Sequence, residues 1–279
     1  VAAVLVIEAA HVGATDNAAD AERRAAQIET IIKIGEGAIA NPHWLESDAW
    51  RGFVDELRGQ GTRGLSDAEF RSWFNGAAGN LPFTHWRLFW KRQPGKGSSG
   101  APRVEAREVA AGVALLRVER FDDVESMKAA IGKVLRGDYR DLVIDLRGNE
   151  GGSFPSVVTL VRSLTGEAVD GGVFLTRKWF DKHGGYPDAA QRESIPVLQT
   201  LNLAAFSRQL QETGAVRLVL PSHDDPVFEG RVVILTDNDT ASAAEPFVYL
   251  MQKRGAQVIG ERTAGAMLSA ERIPVDDTF

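Results

Sequence analysis

The 279-residue sequence contains no cysteine, which excludes disulfide cross-links, thiolate metal sites and thiol nucleophiles while leaving the compartment open. It has no apolar run long enough to cross a bilayer as a helix, for which about 20 residues are needed. Neither sign of charge dominates: 32 Lys and Arg against 38 Asp and Glu give a formal net charge of −6. The basic pairs Arg23-Arg24 and Lys91-Arg92 stand alone, without a nucleic-acid motif. That balance argues against non-specific nucleic-acid binding. No two histidines or carboxylates have metal-ligand spacing, so neither a metal nor a cofactor is expected. What is present, 44% hydrophobic and 25% charged residues, suits a globular protein with a sizeable core, in one large domain or two.

The chain opens on an apolar stretch, Val1 to Ala14, without an initiator methionine and with small residues before Thr15-Asp16-Asn17. Two readings of residues 1–15 are open. One is the remainder of a secretory signal, implying a periplasmic or extracellular protein; the other is a first element of the mature fold. Ile28, Ile31, Ile32, Gly35 and Ile39 then recur at helical spacing between Asp16 and Ala40, until Pro42 breaks the pattern. A second helix is expected over Ser47–Arg58, with Trp50, Phe53, Val54 and Leu57 on one face. Ser66-Asp67-Ala68-Glu69 reads as a capping box opening a third, with Phe70, Trp73 and Phe74 buried. Residues 16–92 therefore form an N-terminal helical subdomain. Gln93–Pro102 has the composition of a linker or hairpin tip.

Beyond it, strands and helices alternate. Strands are expected at Val104, Val113–Val118, Leu142–Leu146, Val173–Trp179, Val216–Leu220, Val232–Thr236 and Gln257–Ile259. Helices are expected at Val124–Leu135, Phe154–Leu164, near Val197–Leu210 and after Ser242. This alternation implies a layered α/β core. Lys182 to His223 is long and polar enough to cover a substrate cleft, with His183 and His223 as solvated loop residues. The ending Ile273–Phe279 reads as strand-like and broken off in mid-fold, so the chain is expected to be a fragment of a longer product.

Two segments carry chemistry. In Arg231-Val-Val-Ile-Leu-Thr236, followed by Asp239-Thr-Ala-Ser-Ala-Ala-Glu-Pro246, a buried strand turns into a helix and Ser242 stands at the turn. Helix-start amides converge there, so Ser242 can serve as a nucleophile. The competing reading is a helix cap, by Ser242 or Thr240, with Glu245 completing a capping box. The other segment, Asp141-Leu-Val-Ile-Asp-Leu-Arg-Gly-Asn-Glu-Gly-Gly-Ser153, is a strand ending in a glycine-rich loop. Gly151 and Gly152 permit positive φ and close approach to a substrate, or simply make a tight turn. Phosphate binding is disfavoured, because the loop has neither a Gly-Lys-Ser/Thr ending nor Gly-x-Gly-x-x-Gly spacing.

Asp-Leu-Arg-Gly-Asn-x-Gly-Gly followed by Thr-Ala-Ser-Ala-Ala-Glu resembles the serine peptidase family of carboxyl-terminal-processing proteases, the tricorn core and interphotoreceptor retinoid-binding protein. The resemblance covers about residues 104–279 and implies a crotonase-like spiral of ββα units. It implies that Ser242 is the nucleophile, with an oxyanion hole from the amide of Ala243 and one from Gly151 or Gly152, Gly152 being preferred. The processing branch places a lysine base in a Thr-x-Gly-Lys-Gly stretch, where this chain has Thr263-Ala-Gly-Ala-Met267. Ala266 thus stands where that lysine would be, and Lys253 suits the end of its helix better than a dyad. The likeness is to the tricorn-like branch, and about twenty residues between His85 and Val104 leave no room for a PDZ domain.

Of His11, His43, His85, His183 and His223, the one in Leu81-Pro-Phe-Thr-His-Trp86 resembles the family's histidine base. Thr84 would relay His85 to a carboxylate, and a neutral imidazole can take and return the serine proton. The alternative is a histidine packed among Phe83, Trp86 and Phe89. No orienting carboxylate is identified: Glu245 is one turn from Ser242 and suits capping or an ion pair, while Asp276 and Asp277 have no support. Two functions follow from the resemblance. One is a serine endopeptidase acting on peptides or unfolded proteins; the other is a catalytically inactive protein on the same fold that binds a hydrophobic ligand or a peptide.

Overall fold

The computed structural model describes residues 14–91, 103–268 and 273–279. The apolar opening through residue 13 and the linker expected at 93–102 lie outside them. The chain divides into two compact units. The described part of one comprises residues 14–82, 86–91 and 273–279; that of the other comprises 83–85 and 103–268.

The first unit is helical: α1 (Ala14–Ala38), α2 (Asp48–Gly59) and α3 (Asp67–Ala78). Serine caps set two of the starts. Ser47 Oγ accepts the Trp50 N–H at 3.2 Å. Ser66 and Glu69 close a reciprocal box, with Glu69 N–H on Ser66 Oγ and Ser66 N–H on Glu69 Oε2. Each such cap contributes about 1 kcal/mol. Ile28, Ile31, Ile32, Trp50, Phe53, Leu57, Phe70 and Phe74 are buried, as their spacing requires. Trp73 is only half-buried and stacks on Phe53 and Phe70. The 273–279 segment is not a strand. Asp276 Oδ1 accepts the N–H groups of Thr278 and Phe279, its Oδ2 accepts from Gln27 at 2.5 Å, and Phe279 is buried against Phe70 and Trp90. The carboxylates of Asp276 and Asp277 are thus occupied within this unit, the latter by Lys91.

The second unit is mixed α/β. Its main sheet has the order β1-β2-β3-β6-β7, with β1 (Val104–Ala110) antiparallel to β2 (Val113–Val118). β2, β3 (Asp141–Asp145), β6 (Arg231–Thr236) and β7 (Gln257–Gly260) run parallel. Leu116, Ile144 and Ile234 lie side by side in register and have no exposed surface. Along β2 and β3 such buried positions alternate with half-buried ones, so the sealed positions fall on one face of the sheet. α4 (Val124–Arg136), α5 (Phe154–Arg162) and α9 (Ala244–Lys253) contribute Met127, Leu160 and Phe247 to the same core. β3 and β6 are neighbours, so the loops leaving their carboxyl ends, one glycine-rich and one carrying Ser242, emerge side by side. That is where ligands bind in open α/β sheets.

The structure corrects the region between these loops. The strand expected at Val173–Trp179 ends earlier: β4 (Val169–Leu175) is followed by α6 (Arg177–His183). Trp179 and Phe180 are buried from the helix, and Trp179 stacks on His183, one turn on. Lys182 to His223 contains a helix and a strand near the expected places and one further helix. It holds α7 (Ala189–Ser194), α8 (Leu203–Thr213, capped by Asn202) and β5 (Ala215–Leu220), which pairs antiparallel with β4 in a separate two-stranded sheet. The helix expected from Val197 starts six residues later, because Val197 bridges to Arg217 and Leu198 bonds it as an extended segment. His223 is not solvated: its side chain is 7% exposed, Nε2 donates to Thr165 O, and Nδ1 accepts the Asp225 N–H.

Candidate active site

Ser242 lies two residues before α9, with φ at +56°. It does not cap the helix: the N-cap is Ala243 and no side chain bonds the helix start. Its carbonyl instead accepts the Glu245 N–H at 3.0 Å, leaving the hydroxyl unused by the helix. That hydroxyl meets His85, Oγ to Nε2 at 3.2 Å, across 157 residues of sequence. His85 also has positive φ, at +67°. Left-handed backbone is uncommon outside glycine and costs on the order of 1 kcal/mol or more. Here both partners of one hydrogen bond adopt it. His85 Nδ1 lies 3.0 Å from Thr84 Oγ1. In the tautomer with its proton on Nδ1, the ring donates to Thr84 and accepts from Ser242.

The glycine loop lies directly against this pair. A Cβ built on Gly151 would stand 2.7 Å from Ser242 Cβ and 2.9 Å from Ala243 N, and its φ of +98° already requires glycine. Gly151 N–H donates to Asn149 Oδ1 at 2.8 Å and is therefore engaged. Gly152, exposed and at φ +144°, bridges to Phe121 through its neighbours: Phe121 N–H donates to Gly151 O, and Ser153 N–H donates to Phe121 O. Among the described residues, the N–H groups of Gly152 and Ala243 have no partner. Those two amides, rather than Gly151, are the donors open to a bound group.

Several residues hold the loops together whose part the sequence did not reveal. Asn149 has no exposed surface; its Nδ2 donates to Val118 O and its carbonyl accepts the Ala241 N–H, so it joins β2, the glycine loop and the Ser242 turn. Asp237 Oδ1 accepts from Gly148 N–H, Asp239 N–H and Thr240 Oγ1. Burial would push its carboxyl up, but these bonds outweigh burial and hold it below the ordinary carboxylate range. Asp145, buried, behaves alike: the Arg147 bonds and the charges of Arg117 and Arg147 overcome desolvation. Thr240 is fully buried and bonds to Leu146 O, which leaves it no capping role on α9. In an Asp-Asn-Asp-Thr string these roles look like any polar turn.

Ala266 carries no amine, and its N–H, with those of Gly265 and Ser242, donates to the Glu245 carboxylate. Among the described residues Glu245 makes no ion pair; its carboxylate takes the Ser242 N–H as Glu69 takes that of Ser66, but the reciprocal bond to the serine hydroxyl is absent. Lys253 is exposed at the far end of α9, its Nζ over the Tyr249 ring. Among the described residues, no helix is long and apolar enough to cross a membrane.

One solved structure supports the fold, and others show partial similarity. A candidate peptidase from Parabacteroides merdae superposes with a TM-score of 0.52 at 12% identity, over 89% of this chain and 76% of its own. A lipoprotein from Streptococcus agalactiae is similar over 93% of this chain and 82% of its own, at 16% identity and a TM-score of 0.48. The photosystem II D1 C-terminal processing protease is similar over 55% of this chain and 31% of its own, at 19% identity and a TM-score of 0.36. No curated protein matches the sequence. The sequence profile of Peptidase family S41 matches residues 112–279, more than half of the chain and the whole stretch that holds both loops. The chain belongs to Peptidase family S41.

Proposed function

We propose that this peptidase is a serine endopeptidase that acylates on Ser242 with His85 as its base. The observation that carries the reading is the 3.2 Å hydrogen bond between His85 Nε2 and Ser242 Oγ, made by a serine hydroxyl that no helix start consumes. As Oγ attacks the scissile carbonyl carbon, Nε2 takes the hydroxyl proton and the carbonyl electrons move onto oxygen. The N–H groups of Ala243 and Gly152 receive that oxyanion, each such donor being worth about 3 kcal/mol in the transition state. Collapse breaks the C–N bond, and the imidazolium gives its proton to the departing amine. Water then repeats the sequence on the acyl ester: His85 takes one proton, the acid leaves, and Ser242 Oγ is protonated again. Thr84 supports the Nδ1-protonated tautomer throughout.

Only the neutral ring accepts the serine proton, so hydrolysis of a peptide substrate is expected to rise with pH through a single ionisation and to lose that rise in His85→Ala. His85→Ala should keep the fold and lower turnover by about 1,000-fold or more. Near-normal turnover in His85→Ala, with loss in Lys253→Ala, would return the reaction to a lysine base.

A further inference from the structure

Glu245 retains 4% of its surface, and among the described residues no cation pairs with it. A buried carboxylate is costly unless its lone pairs are met. Here three backbone N–H groups meet them: Gly265 on Oε1 at 2.7 Å, and Ser242 at 2.9 Å with Ala266 at 2.6 Å on Oε2. The same oxygen therefore holds the nucleophile's own peptide and the 263–267 segment. That segment has no regular structure and is otherwise docked beside the turn by Ala264 N–H on Thr240 O.

We propose that Glu245 is a positioning residue, whose carboxylate fixes the Ala241–Ser242 peptide so that Ser242 Oγ faces His85 instead of the helix start. A serine near a helix start ordinarily turns its hydroxyl onto the first-turn amides. Ser242 is kept from doing so because its N–H is anchored to the Glu245 side chain and its carbonyl to the Glu245 N–H, which sets φ at +56°. The 263–267 segment completes the clamp from the other side, so a change there reaches Ser242 through a single oxygen. The inference rests on Ser242 being the nucleophile.

The test compares the wild-type chain, Glu245→Gln and Ala266→Pro, using a fluorophosphonate probe and a peptide substrate. The glutamine keeps the size but turns an N–H toward the three donors; the proline removes one donor from a half-buried residue outside α9. Labelling rate and kcat are expected to fall by about 10- to 100-fold in Glu245→Gln and less in Ala266→Pro. KM should stay within about threefold, and the fraction of sites finally labelled should not change. Folded variants that label at the wild-type rate overturn the positioning role, as does a loss of activity that only follows the loss of labelled sites. Should Glu245→Gln fail to fold, Ala266→Pro decides on the same readouts. A wild-type chain not labelled at Ser242 overturns the nucleophile and the clamp together; a labelled wild type with undiminished variants overturns the clamp alone.

Discussion

At the scale of single residues, two non-glycine residues among those described adopt left-handed backbone, and they are the two that share the proposed proton path. Strain of this kind persists only where surrounding bonds over-determine it. Ser242→Gly should therefore abolish turnover while raising the free energy of unfolding by up to about 1 kcal/mol, read by urea denaturation. A clear loss of stability would mean that the fold, and not the reaction, needs this side chain. Local strings were enough to single out Ser242, His85 and Thr84, which two hydrogen bonds join in the fold, and the alanine at 266. The hydroxyl's freedom from capping was not legible: Ser242 and Glu245 in a Ser-Ala-Ala-Glu string fit a capping box as well, and only the backbone angle separates the two.

At the scale of elements, the glycine loop and the Ser242 turn form one construction, tied by Asn149 and Asp237. Asn149→Ala would leave the Gly151 N–H and the Val118 carbonyl unpaired in a fully buried place. It is expected to cost about 2–4 kcal/mol in chemical denaturation, together with the labelling of Ser242. Wild-type stability in that variant would remove Asn149 from the frame. The central strands and the capped helices were readable because apolar runs and Ser-x-x-Glu spacing act locally. The boundary at Thr176 was not: Trp179 and Phe180 suit a strand by propensity, and burial from one face of α6 decides otherwise. Glycines at 171 and 172 hid the start of β4, where the strand carries a bulge and pairs with only one neighbour.

At the scale of the whole molecule, an uneventful composition conceals carboxylates whose ionised forms the fold depends on. Asp145 and Asp237 are held below the ordinary range in the folded state, so their contribution is present above the unfolded carboxylate value, about 4, and is lost as pH falls through the folded values. Urea midpoints should accordingly drop between about pH 5 and pH 3, and Asp237→Asn should flatten that slope. A slope unchanged in Asp237→Asn would assign acid lability to other groups. The layered α/β class was legible from alternation alone. The meeting of two loops ninety residues apart was not, because it depends on β3 and β6 becoming neighbours. We propose that this meeting makes Ser242 a nucleophile. The intact chain treated with a fluorophosphonate, with the adduct located by peptide mass spectrometry, decides it. The adduct is expected on Ser242 Oγ, displacing fluoride, and should be absent from Ser242→Ala; an adduct on another residue, or labelling that persists in Ser242→Ala, contradicts it.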